Sequence, residues 1–269
     1  MGERKDMKLK NSYAMYIFVL SLALFLIAFQ EHDENPAAPG FNSKESDTKA
    51  IAIADEVMQK LGGRKNWDNT RYITWKFFGR RFHVWDKRSG DIRVESQNRT
   101  VLMNINTKEG RVWEDGTEVT HPDSLAKRLD RGYRAWINDS YWLVMPYKLK
   151  DSGVTLKYVG ERKTESGANS DVLQLTFEGV GVTPKNKYEV FVTKENKLVE
   201  QWAFFRTAED ADPRFTGPWQ EWQQHGKILL SANRGERGHS DVAVFDALPV
   251  SVFESPEPVD IMSFPQAEK

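Results

Sequence analysis

The stretch "RYITWKFFGRRFHVWDKRSGDIRVES", Arg71 to Ser96, sets Tyr72, Trp75, Phe77, Phe78, Phe82 and Trp85 among Arg71, Lys76, Arg80 and Arg81. Its opening residues alternate. Ile73, Trp75 and Phe77 fall on one face and Tyr72, Thr74, Lys76 and Phe78 on the other, the pattern of a strand whose two sides meet different surroundings. Phe82 and Val84, then Ile92 and Val94, continue the pattern in neighbouring strands, with "DKRSGD" (86–91) as the hairpin turn between them. Gly79 is placed to bend or bulge the sheet and to reset the alternation before Phe82.

Outward from this stretch the same period recurs. Hairpins are expected at "TKEG" after Val101–Ile105, at Asp115-Gly116 after Arg111–Glu114, near "ESGAN" after Val154–Val159, and at "KEN" between Tyr188–Val192 and Leu198–Phe205. Lys227–Ala232 and Val242–Phe245 close the series. Two helices interrupt it. Ala50, Ile53, Ala54, Val57, Met58 and Leu61 keep a 3.6-residue period that Gly62-Gly63 ends, and Leu125, Leu129, Tyr133, Trp136 and Ile137 keep near-helical spacing until Pro146, with Gly132 weakening the middle. The fold class is therefore α+β: one long, strongly curved antiparallel sheet with helices on its concave side.

The chain begins with Arg4, Lys5, Lys8 and Lys10, runs from Tyr13 to Phe29 without a charge, and then meets Glu31, Asp33 and Glu34. A basic flank, an apolar run and an acidic flank form an export signal, which puts everything after Phe29 outside the cytoplasm. Residues 1–30 are read as a signal peptide or an N-terminal membrane anchor. The body is accordingly periplasmic or secreted, or held at the inner membrane through residues 13–29 if that segment is not cleaved. With no Cys in the chain there is neither a lipid attachment point nor a disulfide, so the body depends on burial for its stability. Residues 31–45, mixing Pro, Gly, Asn and charge without a period, read as a flexible tether; 46–256 form the folded domain and 257–269 a C-terminal tail.

Composition narrows the function classes. A net charge of −1 argues against a nucleic-acid partner. The motifs of nucleotide binding, of serine hydrolysis and of zinc proteases are absent from the sequence, and the five His are dispersed. His239, Ser240 and Asp241 are adjacent, whereas a catalytic triad draws on separated segments. Glu209, Asp210 and Asp212 fit a solvated turn better than a calcium loop. Neither a catalytic residue, a metal nor a cofactor is assigned.

What stands out is aromatic. Nine Trp in one chain suit an apolar concavity that holds an amphiphile, since Trp and Tyr join an apolar body to a polar tip. The candidate ligand-binding residues are Trp75, Phe77 and Trp85 of the opening stretch, Trp113 beyond it, and Trp136 and Trp142 of the helical insertion. Trp202 and Phe204 join them from one later strand, and Trp219 and Trp222 from the "GPWQEWQQ" run. Arg80 and Arg81 are expected at the rim, keeping their water or meeting an anionic headgroup.

The runs "NDSYWLVMPYKLKDSGVTLKYVGE" (138–161), "DVLQLTFEGVGVTPKNKYEVFVTKENKLVEQWAFF" (171–205) and "FTGPWQEWQQHGKILLS" (215–231) resemble an uncharacterised exported bacterial family of the Bacteroidetes type. The resemblance extends over residues 46–256. In element order, and in a Tyr-x-Val-x-Val strand followed by "KLVEQWAF", that family is distantly similar to the LolA- and LppX-like outer-membrane lipoprotein carrier and sorting proteins. The resemblance implies an unclosed half-barrel, lidded by helices, whose apolar concavity holds acyl chains. It implies a lipid, another amphiphile or a lipoprotein as partner, and it supplies no catalytic residue. A monomer is expected. The competing readings are an extracytoplasmic protein-interaction module with a filled core, and an enzyme of unspecified reaction. A reporter fused after Gly40 is expected to be active outside the cytoplasm only; activity inside would overturn the export reading.

Overall fold

The computed structural model describes residues 34–269, and residues Asn35–Lys269 form one compact unit. The export or anchor segment of residues 1–30 lies outside the described residues. The unit opens with helices α1 (Thr48–Lys60) and α2 (Arg64–Asn69), followed by strands β1 (Tyr72–Phe77), β2 (Arg81–Asp86), β3 (Asp91–Ser96), β4 (Arg99–Asn104), β5 (Gly110–Glu114) and β6 (Thr117–Glu118). Helix α3 (Pro122–Val144) runs on through a 3₁₀ turn, Met145–Lys148, into β7 (Val154–Lys163), β8 (Asn169–Phe177), β9 (Lys187–Thr193), β10 (Val199–Phe205) and β11 (Phe215–Pro218). Strands β12 (Gln220–His225), β13 (Ile228–Arg234) and β14 (Arg237–Phe245) precede a short helix α4 (Ser251–Glu254) and a 3₁₀ turn, Ile261–Ser263.

Every strand pair is antiparallel, but the strands make two unclosed sheets where one long sheet was expected. A nine-stranded sheet has the order β12-β13-β14-β1-β2-β3-β4-β5-β6, and a five-stranded sheet the order β11-β10-β9-β8-β7. The division has two causes. The whole of α3 stands between β6 and β7, and β7 pairs with β8 instead. Between β11 and β12 the chain changes sheet across Trp219 alone: Pro218 has no N–H for a ladder, and the Trp219 N–H donates to Glu200 O on β10 at 2.8 Å.

In β1 the alternation is as read: Ile73, Trp75 and Phe77 enter the main core, while Tyr72 joins a second cluster on the other face. Gly79 does not host the bulge. Phe78 (φ +49°) and Gly79 (φ +67°) form the tight turn that joins β1 to β2 as a hairpin. The bulge sits across from Trp75, in β14, where the register against β1 shifts between Thr74 and Lys76 and Asp241 takes a φ of +53°. Thr74 Oγ1 donates to the Asp241 carbonyl at 3.0 Å and pins it.

The main core joins both sheets to the helices. Ile53, Val57 and Leu61 of α1 and its end, Leu143 and Val144 of α3, and Tyr147 pack with Trp75 of β1, Leu173 of β8 and Trp202 of β10. The first half of α3 covers β3–β5 through Leu129, against Ile92, Val101 and Val112. Gly132 lies inside an unbroken α3. A Cβ there would lie 2.8 Å from Val101 Cγ1, so the missing side chain is what lets the helix sit close to β4.

Both segments read as loose are bound to the domain from Asn35 onward. In the stretch expected to be a tether, Ala38 N donates to Lys150 O at 3.0 Å and Asn42 N to Val154 O at 3.1 Å. At the other end, Val252 and Ile261 pack with Tyr72, Val84 and Phe245 over the outer face of the larger sheet, and Ala267 N donates to Val244 O at 2.8 Å. Arg93, fully buried in β3, holds this segment: it donates to Val252 O at 3.0 Å, Ser255 O at 2.7 Å and Glu257 O at 2.6 Å, and pairs with Glu95. Arg93→Met would leave these carbonyls and that of Pro256 without their donor and is expected to cost about 3 kcal/mol or more. A wild-type melting temperature together with unchanged protease resistance of residues 251–269 would contradict this.

Candidate functional site

Helix α3 presents Tyr133, Trp136, Ile137, Ser140, Tyr141 and Val144 at spacings of three and four residues, which is one face of a helix. That face meets the smaller sheet across a cavity of about 570 Å³. The sheet supplies an aromatic row. Phe204 of β10 stands directly opposite Tyr188 of β9 on one side and Phe215 of β11 on the other, with ring centroids 5.4 and 5.5 Å apart, and Phe177 of β8 extends the row 5.7 Å beyond Tyr188. Trp142 closes the end against Trp202, edge to face at 4.4 Å, and against Phe215, stacked at 5.4 Å. Val180 and Val182, on the connection from β8 to β9, complete the wall. Such a volume and lining suit a small apolar or amphiphilic ligand.

Of the residues expected to bind ligand, Trp85, Trp136, Trp142, Trp202 and Phe204 line this cavity. The others lie elsewhere. Trp75 is wholly buried, stacked on His83 at 4.6 Å, and Phe77 is core, stacked on Phe78 at 3.9 Å. Trp113 is buried with the Arg111 guanidinium 4.5 Å above it, and Trp219 is buried 3.5 Å beneath that of Arg234. Trp222 is half-buried, donating to Val199 O at 2.9 Å. The first strand is thus too central to reach the cavity, because α1 and both sheets cover the face that carries Trp75. Tyr133, Tyr141, Phe177, Tyr188 and Phe215 line the cavity without having been singled out as ligand-binding; the i, i+3, i+4, i+7, i+8 run from Tyr133 to Tyr141 is the signal that could have found the first two.

Arg80 and Arg81 lie at a second groove of about 800 Å³, between the β1–β2 and β3–β4 turns and α3, together with Lys76, Arg99 and Arg131. Arg81 is held there. It makes a two-pronged pair with Asp139 of α3 at 2.6 and 2.7 Å, and Asp139 also accepts from His83 Nε2 at 2.7 Å. Asp139 is wholly buried; burial opposes its ionisation, but the hydrogen bonds from Arg81 and His83 outweigh it and keep the carboxyl below the usual range. Burial pushes His83 down against the opposing pull of Asp139.

His239 carries a second such constraint. Its Nε2 donates to Trp142 O at 3.1 Å, and its Nδ1, unprotonated in that tautomer, is buried with no donor among the described residues. Burial, reinforced by the nearby Arg234 charge, takes its pKa down to about 3. Burial also pushes the Tyr141 and Tyr188 hydroxyls up, so these two phenols stay neutral at physiological pH. The Tyr141 hydroxyl and the indole N–H groups of Trp85, Trp136 and Trp202 have no acceptor among the described residues.

The described residues thus form two unclosed antiparallel sheets with helices, and solved structures of low overall similarity share part of this arrangement. It is similar to a DUF1329 family protein from Desulfovibrio piger (TM-score 0.40, 12% identity, 77% of this chain and 97% of that one). It is similar to a putative outer membrane lipoprotein-sorting protein domain from Vibrio parahaemolyticus (TM-score 0.36, 10% identity, 76% and 96%). It is also similar to a chain of the Pseudomonas aeruginosa MucA/MucB complex (TM-score 0.22, 17% identity, 56% and 50%). No family model and no curated protein matches it. No helix of the described residues is long and apolar enough to cross a membrane.

The two histidines set an acid limit. Both have folded pKa values below the unfolded value of about 6.5, so the unfolded chain takes up protons first and their stabilising contribution, complete above pH 6.5, is lost as pH falls towards 3. Melting temperature is expected to drop steadily from pH 7 to pH 4. His239→Gln, which keeps a donor for Trp142 O but does not titrate, should flatten that slope; an equally steep slope in the variant would count against the assignment.

Proposed function

We propose that the protein is an exported binding protein for a hydrophobic or amphiphilic ligand, such as a lipid or a lipoprotein acyl chain, held between α3 and the smaller sheet. The observation that carries this reading is the row Phe177-Tyr188-Phe204-Phe215 facing the Tyr133–Val144 face of α3 across an open cavity. A sheet that needed those rings only for its own core would bring the helix into contact along their whole length. Here α3 meets the row where Tyr141 approaches Tyr188 at 5.4 Å and Phe177 at 6.3 Å and where Trp142 stacks on Phe215, and leaves space between, while Asp139 ties the helix to the larger sheet. In this reading the helices occupy the concave side of the bent sheets, and the export segment delivers the domain to a compartment where lipids are exchanged.

Binding rather than catalysis fits the lining. Apart from tyrosines, its ionisable side chains are Lys148 and Asp151, which pair with each other, so no free acid or base faces the cavity. Each buried methylene contributes about 0.8 kcal/mol, enough for half an acyl chain to reach roughly micromolar affinity after the costs of association. A second reading, a module that docks a partner protein, draws on the basic groove, where Lys76, Arg80 and Arg131 have no carboxylate partner among the described residues.

Mass spectrometry of the natively expressed protein is expected to detect a co-purifying amphiphile. Replacing Phe204 and Phe215 together by Ala, two half-buried rings of the cavity wall, should weaken amphiphile binding about tenfold or more, read by intrinsic tryptophan fluorescence in a variant that keeps its wild-type circular dichroism. Wild-type affinity in that variant would show that the cavity is not the site.

A further inference from the structure

The charges around the cavity say more about its ligand than the rings do. Its lining carries one cation, Lys148, and one anion, Asp151, three residues apart and ion-paired, with side chains 38% and 28% exposed. The remaining polar lining is uncharged: Asn138, Ser140, Ser152, Thr183 and Asn186, with the protonated phenols of Tyr141 and Tyr188. The cavity is therefore electrically neutral. The basic residues that would suit an anion belong to the other groove, where α3 contributes Arg131, Gly132 and Ala135, residues that do not line the cavity.

We infer that the cavity selects an amphiphile whose polar end carries no net charge, either uncharged or zwitterionic, over an anion such as a free fatty acid. This rests on the binding reading above and sharpens it. An anionic head entering beside Lys148 sets a second anion next to Asp151 with one ammonium between them, leaving a net negative charge in a partly desolvated site. A zwitterion avoids this cost because its cation can lie beside Asp151 and its anion beside Lys148 while the pair stays whole. An uncharged head avoids it too, its oxygens accepting from Ser152 and Thr183 hydroxyls and from the Asn138 and Asn186 amides. The direction of preference thus follows from the pairing of two side chains.

The test is calorimetric titration of the full chain with lysophosphatidylcholine, lysophosphatidylglycerol and the free fatty acid, all of one acyl length and below their micelle concentrations. The zwitterion is expected to bind at least ~10-fold tighter than either anion, and Asp151→Asn, by freeing Lys148, to narrow that ratio about tenfold. The exchange Lys148→Asp with Asp151→Lys preserves the pair and should keep the wild-type preference, which guards against a mere folding defect. Equal or tighter binding of the anions by the wild type, or an unchanged ratio in Asp151→Asn, overturns the inference while leaving amphiphile binding standing. Binding of none of the three overturns the binding reading and this inference with it. Loss of binding in the Phe204/Phe215 double variant assigns the heat to the cavity, and heat unchanged in that variant overturns the inference.

Discussion

The carboxylate of Asp139 is the constraint on which the arrangement depends. It is wholly buried, and a buried carboxylate is tolerated only where its charge is met; Arg81 meets it with two hydrogen bonds and His83 with a third. Both partners come from β2, so the pair fixes the C-terminal half of α3 to the larger sheet at one point and one rotation. With the helix rotation set, Tyr141 faces the rings of the smaller sheet, while Tyr133 and Trp136 border the cavity from the side of the larger sheet, Trp136 against Trp85 at 5.3 Å. An apolar contact of the same area would tolerate sliding. A two-pronged charged hydrogen bond does not.

The next turn of the helix carries the constraint onward. The carbonyl of Trp142 accepts from Arg234 and from His239, residues of β13 and β14 that stand on the far side of the hairpin from β2. The same residue places its indole against Trp202 and Phe215. Trp142 thus joins the two sheets through one residue, its backbone held by the larger and its ring packed on the smaller. Arg234 has no carboxylate partner among the described residues; its guanidinium is satisfied by carbonyl and hydroxyl oxygens and by the face of Trp219, which stands where the chain passes between sheets. Polar groups with fixed directions set the geometry, and the aromatic side chains fill the space they define.

That division of labour explains why the large number of aromatics does not translate directly into a binding surface. Trp75 and Trp219 have the same composition-level signal as Trp136 and Trp202, yet the former are core and the latter line a cavity. The difference is in what lies opposite. Trp75 is stacked on His83 within the main core, whereas the aromatic row of the smaller sheet meets α3 at Tyr141 and Trp142 and borders a cavity between them. The basic residues divide similarly. Arg81 is consumed by the structural pair, and Lys76, Arg80 and Arg131 gather in a groove served by another face of α3.

By itself the sequence determined the local structure. The period of two in Arg71–Ser96 gave β1, β2 and β3 with their faces correctly assigned in β1, the turn residues located most hairpins, and the 3.6-residue period marked α1 and α3, because these signals are carried by neighbours a few residues apart. It also singled out the aromatic side chains, and half of those named line the cavity. Only the tertiary structure decided that there are two sheets, that the segments flanking the domain are bound to it, and which rings face open space. Those outcomes depend on contacts between residues far apart in the chain: Asp139 with Arg81 across fifty-eight positions, Arg93 with the carbonyls of the C-terminal segment across more than one hundred and fifty. Asp139 reads in the sequence as an ordinary charged residue on a helix, since nothing in its neighbours tells that the side facing it will be buried.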